Sequence, residues 1–237
     1  VKTMHLLGVA TLGALIGAGA VWSADRLVAP GGADRLRIER VVHDYMLSHP
    51  EIIPQAMQAL QARESGKAVA ANRDAITTPF ASAWAGNPKG DVTLVEYYDY
   101  NCGYCRASLP MIADLIRRDP NLRVVYRELP ILGPTSRPAA RASLAAAQQG
   151  KFAAFHDALY AAGPVSDATI RATAAKTGVS LPPASAPALD GEIARNMETA
   201  AKLGMTGTPT WVIGDQMLAG ALPVEELEKA IAAARGR

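Results

Sequence analysis

The chain holds two cysteines, Cys102 and Cys105, separated by Gly103 and Tyr104. A Cys-x-x-Cys pair can bind metal, close a structural cross-link, or carry reversible thiol–disulfide exchange. A structural zinc site takes four ligands. Here there is no second cysteine pair, and the four histidines (His5, His43, His49 and His156) are scattered. No metal and no cofactor are expected. A disulfide across so short a loop restricts the unfolded chain less than a long one and stabilises correspondingly little. Such a bond makes more sense opened and closed than left shut, so exchange is the chemistry expected of the pair.

Cys102 falls at the start of a helical pattern, where unpaired backbone N–H groups and the helix dipole favour an anion. The thiolate is the attacking species, so Cys102 is the candidate nucleophile. Cys105, one turn on, should be less exposed and able to attack the mixed disulfide that Cys102 forms with a substrate. Gly103 permits a tight turn. Tyr104 offers a phenol and an apolar face that would tune the pair. Glu96, six residues before Cys102, sits in an otherwise apolar strand. It could accept or relay the Cys105 proton, or be an edge or rim carboxylate; periodicity does not choose.

The elements that must position these residues are legible as patterns. Val92–Tyr98 (VTLVEYY) follows the turn cluster Asn87–Asp91 and reads as a strand. Leu109, Ile112, Leu115 and Ile116 give a helix after Cys105, which Pro110 should kink. Leu122–Leu129 reads as a second strand. Ser136 to about Gly178 reads as helical, with breaks at Gly150 and Gly163-Pro164. A proline-rich loop, Leu181–Pro187, leads to a helix over Glu192–Leu203. Thr210–Ile213 and Met217–Ala219 flank Gly214-Asp215-Gln216 as a hairpin, and Val224–Ala234 is a closing amphipathic helix. The order is β-α-β, a helical insertion over about 135–190, then β-β-α. Upstream, Ala24–Ala33 reads as a linker broken by Pro30-Gly31-Gly32. Leu36, Val41, Val42, Tyr45 and Met46 fall near helical spacing. Ser48-His49-Pro50-Glu51 fits a capping box for a second helix, with Pro54 placed to kink or delay it and Gly66 to interrupt it.

Of the 237 residues, 49% are hydrophobic and the formal net charge is +2, so charge points to neither nucleic acid nor an acidic partner. Lys2 precedes an apolar run, Leu6–Trp22. Residues 1–24 therefore read as a signal peptide, with cleavage after Ala20 at Ala18-Gly19-Ala20, or as a membrane anchor. Either places the remainder in an oxidising compartment, the periplasm, where disulfide chemistry operates. Residues 25–76 form a linker and N-terminal helical region, and 77–237 the domain carrying the cysteines.

The run Val95-Glu96-Tyr97-Tyr98-Asp99-Tyr100-Asn101-Cys102-Gly103-Tyr104-Cys105, together with Gly204-Met205-Thr206-Gly207-Thr208-Pro209-Thr210, resembles the DsbA-type branch of the thioredoxin superfamily over about Thr77 to Ala234. The resemblance implies an α/β thioredoxin fold with an inserted helical domain and an N-terminal helical extension. It implies a cis Thr208–Pro209 bond beside the cysteines, with the backbone before Pro209 able to pair with an extended substrate. It also favours the proton-relay role for Glu96. Tyr45-Met46-Leu47-Ser48-His49-Pro50-Glu51 resembles the leader of the ScsC-like subgroup, which implies a homo-oligomer through the N-terminal region. The expected activity is a thiol:disulfide oxidoreductase, an oxidase or isomerase acting on exported cysteine-bearing proteins. Its expected membrane redox partner is of DsbB or DsbD type. The alternative is a non-enzymatic chaperone or a copper(I)-binding thiol protein. For copper, Met205 is the one methionine near the site, and core packing suits it better.

Overall fold

The structure, a computed structural model, describes residues 32–236. The expected signal or anchor, most of the expected linker and Leu6–Trp22 lie outside the described residues. The chain divides into two units, 1–59 and 60–237.

In the first unit, helix α1 runs Gly32–Ser48. Gly32, expected to break the chain, is instead the first residue of that helix. The apolar residues of α1 do not form a core. Leu36, Val41, Tyr45 and Leu47 are all more than half exposed. The capping box does not form, because Ser48 is the last residue of α1. Its hydroxyl donates backward to the Asp44 carbonyl at 2.7 Å. Helix α2 (Ile52–Ala71) starts beyond it. Pro54 lies in its first turn, where the missing N–H has no intrahelical partner to lose, so the helix is neither delayed nor interrupted there.

Gly66 does not interrupt α2 either. It marks a close approach: a Cβ there would lie 3.2 Å from the Asp215 carbonyl oxygen. Asp215 also pairs with Arg73, at the start of a short helix α3 (Arg73–Thr77). These contacts seat the end of α2 on the turn between the last two strands.

Five strands form the sheet: β1 (Trp84–Gly86), β2 (Val92–Tyr98), β3 (Leu122–Glu128), β4 (Thr210–Ile213) and β5 (Gln216–Ala219), in the order β1-β3-β2-β4-β5. The parallel pair β2–β3 aligns Val92 with Leu122 through Tyr98 with Glu128. The remaining pairings are antiparallel. Helix α4 (Gly103–Arg118) connects β2 to β3 and runs through Pro110. The insertion is α5 (Ser136–Gln148), α6 (Phe152–Ala161) and α7 (Asp167–Thr177), followed by α8 (Pro187–Lys202) and, after the hairpin, α9 (Val224–Arg235). The edge strand β1 was not legible, since Trp-Ala-Gly is too short for a period-2 pattern. Helix α8 starts at Pro187 rather than Glu192, because proline is well tolerated at the first helical position.

Helices cover both faces, so the central strands are apolar on both sides. One face sets Leu94, Tyr98, Val124, Trp211 and Ile213 against Ile112 and Leu115 of α4, Phe155 and Leu159 of α6, and Leu227 of α9. The other sets Val95, Tyr97, Val125 and Val212 against Val69, Ile76, Ala200 and Leu203. On that second side Arg127 is buried. It donates to the carbonyls of Ala75 and Ile76 at 2.5 and 3.1 Å and pairs with Glu192 of α8 at 2.5 Å. Satisfying a buried guanidinium this fully offsets its desolvation. It also pins α3 and α8 to β3.

Candidate active site

The sheet delivers Glu96 and Tyr98 to one face of β2, and the chain then turns into α4. Asp99 shapes that turn. Its carboxylate accepts from the backbone N–H groups of Asn101 at 2.9 Å, Ile131 at 2.8 Å and Leu132 at 2.9 Å. Its carbonyl accepts from the Cys102 N–H at 2.9 Å. The Asn101 amide continues the clamp, donating to the Ser136 hydroxyl at 2.8 Å. The loop after β3 is thereby tied to the turn carrying the cysteines. Asp99 was present in the sequence motif, yet nothing in one chain's pattern distinguishes it from an ordinary turn aspartate.

Cys102 is the N-cap of α4, with extended backbone, and its Sγ accepts from the Cys105 N–H at 3.4 Å. An N-cap acceptor satisfies one of the helix's unpaired donors, and here that acceptor is the Cys102 sulfur. Cys105 is fully buried, and both cysteines are free thiols. Burial, followed by the nearby Glu96 carboxylate, pushes the Cys105 thiol well above its ordinary value. Both cysteines are buried, Cys102 at 5% exposure and Cys105 at 0%, and they differ in position: one caps the helix mouth, the other lies a turn behind it. A Cβ at Gly103 would meet nothing within 4 Å, and its φ is not positive, so the turn admits glycine without requiring it. Tyr104 is 67% exposed, a free aromatic surface beside the pair.

The Thr208–Pro209 bond is cis. The Cys102 thiol donates to the Thr208 carbonyl at 3.2 Å, which places this loop directly against the candidate nucleophile. The Thr208 hydroxyl is buried with no hydrogen-bond partner among the described residues.

Glu96 is buried, not a rim carboxylate. Burial pushes it up to about 8, against a lowering by the Ser108 hydroxyl, which donates to its Oε1 at 3.3 Å. Ser108 also donates to the Cys105 carbonyl at 2.9 Å, so one hydroxyl links the carboxyl to the helix turn holding Cys105. The site thus assembles Cys102, Cys105, Tyr104, Glu96, Thr208 and Pro209 from three separate stretches of chain. A carboxyl near neutral beside a buried thiol can take and return a proton at working pH.

Behind these residues lies a buried polar cluster outside the candidate set. Tyr98 donates to Glu128, and its hydroxyl lies 3.2 Å from Ser143 Oγ. Tyr100 donates to Ser143 at 2.9 Å and sits 3.0 Å from His156 Nδ1. Glu128 falls within the run Leu122–Leu129 read as a strand, where one acid carries no signal of its burial. His156 lies in an alanine-rich helix, where one histidine carries no signal.

Residues 93–232 match the DSBA-like thioredoxin domain family, and the chain belongs to that family. Cys102 and Cys105 are the Cys-x-x-Cys pair of its DsbA-like thiol–disulfide oxidoreductase domain. Residues 34–65 match the Copper resistance protein ScsC N-terminal domain, placing the chain with the ScsC-like members. A linker-deletion mutant of Proteus mirabilis ScsC is 30% identical with a TM-score of 0.68, covering 88% of this chain and 98% of its own. A thioredoxin-like oxidoreductase from Silicibacter pomeroyi is 41% identical with a TM-score of 0.63, covering 70% and 99%. A periplasmic thioredoxin-like protein from Salmonella enterica serovar Typhimurium is 29% identical with a TM-score of 0.64, covering 70% and 96%. Curated relatives matched include Na(+)/H(+) antiporters. Of one, from Salinispora arenicola, the chain is 31% identical over 156 residues and spans 24% of the relative's length. Among the described residues no helix is long and apolar enough to cross a membrane.

Proposed function

We propose that this chain works in the periplasm, where it makes or rearranges disulfides in exported cysteine-bearing proteins. The observation that carries the reading is Cys102. It caps a helix N-terminus, faces the Thr208 carbonyl at 3.2 Å and stands in front of a sealed Cys105. A substrate strand laid along the backbone before Pro209 brings its own sulfur to Cys102. Cys102 thiolate attack then forms the mixed disulfide, and Cys105 resolves it.

Between the two directions we favour isomerisation. Leu36, Val41, Tyr45 and Leu47 of α1 expose apolar surface that a second copy of the chain would cover. An oligomer gathers several sites around one misfolded chain. An isomerase must be held reduced, which calls for a membrane electron donor of DsbD type. An oxidase would need a DsbB-type acceptor.

The test is the equilibrium reduction potential of the pair against glutathione, with sedimentation of the same sample. A potential near about −180 mV together with an oligomer supports isomerisation. A monomer near about −120 mV supports disulfide donation instead. Below about −300 mV the bond is a structural one, and the exchange reading fails. Cys102→Ser abolishes turnover if Cys102 is the nucleophile; persisting turnover removes the mechanism.

A further inference from the structure

Glu128 lies on β3 directly across from Tyr98, and Glu96 across from Tyr126. Alternation along parallel strands puts all four side chains on one face of the sheet, the face that carries α4 and the cysteines. Glu96 is 1% exposed and Glu128 2%. Among the described residues no lysine or arginine is hydrogen-bonded or ion-paired to either carboxyl.

The groups facing the pair are the Tyr98, Tyr100, Tyr126 and Tyr160 phenols, the Ser108 and Ser143 hydroxyls, the Cys105 thiol, His156, Asp99 and Asp157. Asp99 is saturated by its three backbone donors, and Asp157 lies outside the hydrogen-bonded chain. Burial holds His156 down to about 3, so it brings no positive charge at neutral pH. Two buried carboxyls with no cation between them cannot both ionise cheaply, because like charges repel strongly in a poorly polarisable interior. Each is pushed up to about 8 by its burial; the Glu128 charge adds to the rise at Glu96, and the Asp99 charge adds to the rise at Glu128.

We propose that Glu128 is a positioning residue for the exchange chemistry: with Glu96, the carboxyl next to Cys105, it forms one buried two-carboxyl unit in which ionisation of either opposes ionisation of the other. This rests on the exchange reading above. In the resolving step Cys105 gives its proton to ionised Glu96. The Cys105 thiolate attacks Cys102 Sγ, the Cys102–Cys105 bond forms and the Cys102–substrate bond breaks. The substrate sulfur leaves as a thiolate and takes the proton back from Glu96. The pair of cysteines is oxidised by two electrons and the substrate disulfide reduced by two. Glu128 acts through Glu96. While Glu128 holds its proton, held in place by Tyr98, Glu96 is free to ionise and act as the base. Once Glu128 ionises, Glu96 keeps its proton and the step stalls.

The test uses the full reduced chain with side-chain carboxyl carbon-13 labelling of glutamate, read by NMR titration in wild type, Glu128→Gln and Glu96→Gln. Glutamine keeps the shape and still accepts from Tyr98. In Glu128→Gln the Glu96 midpoint should fall by at least about half a pH unit, and in Glu96→Gln the Glu128 midpoint should fall equally, since such coupling is reciprocal. The pH–rate profile for release of the mixed disulfide should move the same way in Glu128→Gln. A merely structural Glu128 would scale the rate without moving the profile. Smaller displacements overturn the proposal, and if Glu128→Gln does not fold, the Glu96→Gln titration decides. Turnover surviving in Cys102→Ser would remove the exchange reading and leave the carboxyl coupling to stand on the titration alone.

Discussion

Replacing Glu96 by glutamine should make the protein more stable at alkaline pH. The carboxyl is fully buried and pushed from 4.5 to about 8, chiefly by burial. In the folded chain it therefore holds its proton over a window in which the unfolded chain has lost it. For an acid raised in this way, the stabilising contribution is complete below pH 4.5 and is lost as pH rises to about 8. At about 1.4 kcal/mol per pH unit, the loss between pH 5 and pH 9 comes to roughly 4 kcal/mol, of order a quarter or more of a domain's total stability. Glutamine fits the same space, accepts from Ser108 and does not ionise. The assay is urea unfolding of wild type and Glu96→Gln, both reduced, at one protein concentration and a series of pH values. Subtracting one from the other cancels the groups the two share. The difference should rise with pH by several kcal/mol, and part of the rise will come from Glu128, which loses a repulsive neighbour in the variant. A difference flat within about 0.5 kcal/mol between pH 5 and 9 would refute the claim that burial controls Glu96.

Cys105→Ala should accumulate mixed disulfides on Cys102, visible as higher-mass species on nonreducing gels and absent in the Cys102→Ser, Cys105→Ala double variant. Their absence argues against Cys105 as the resolving sulfur. Arg127→Met should cost about 3 kcal/mol in urea unfolding, because it takes the donor from the carbonyls of Ala75 and Ile76 and leaves the buried Glu192 carboxylate with Arg195 alone; a change under about 1 kcal/mol would show that the pair is not stabilising. His156 acts at the acid end. Burial holds it down to about 3 from 6.5, so its contribution is present above pH 6.5 and lost as pH falls toward 3. His156→Gln should flatten that acid limb, and an unchanged limb assigns acid unfolding to other groups.

The parts of the site carried by local pattern were legible in the sequence. Val92–Tyr98 announced itself by β-branched and aromatic residues, and α4 by the spacing of Ile112, Leu115 and Ile116. The two meet at Cys102, so the strand-to-helix junction followed directly, whereas the burial of Cys102 itself did not, because the loop that covers it comes from Thr208 and Pro209 far along the chain. What failed were inferences that depended on one residue's local preference. Ser48 read as a forward cap because Glu51 stands three residues on, yet its hydroxyl was spent on the Asp44 carbonyl behind it. Gly66 read as a helix breaker, whereas its role is tertiary, the close passage of the Asp215 backbone. No local pattern separates these cases, because the deciding atom lies elsewhere: the Asp44 carbonyl for Ser48 and the Asp215 backbone for Gly66.

Arg127 and Glu128 show how much one strand can hide. Adjacent in sequence, they look like an ion pair at a frayed strand end. Alternation sends them to opposite faces of a sheet covered on both sides, and both are buried. Arg127 meets Glu192 and backbone carbonyls, so the charge it brings is answered within its own layer. Glu128 meets Tyr98, Ser143 and, through space, Asp99 and Glu96, and among the described residues no cation pairs with it. The same desolvation therefore has opposite consequences on the two faces. On one it is offset by pairing and yields a rigid clamp between β3, α3 and α8. On the other it is unpaired, and the carboxyl gives way by keeping its proton near neutral pH. A proton kept to neutral pH is inert in a structural layer. Glu128, though, stands diagonally across the strands from Glu96, the carboxyl next to the sealed Cys105 thiol, and the sheet places it there by a two-residue offset between neighbouring strands.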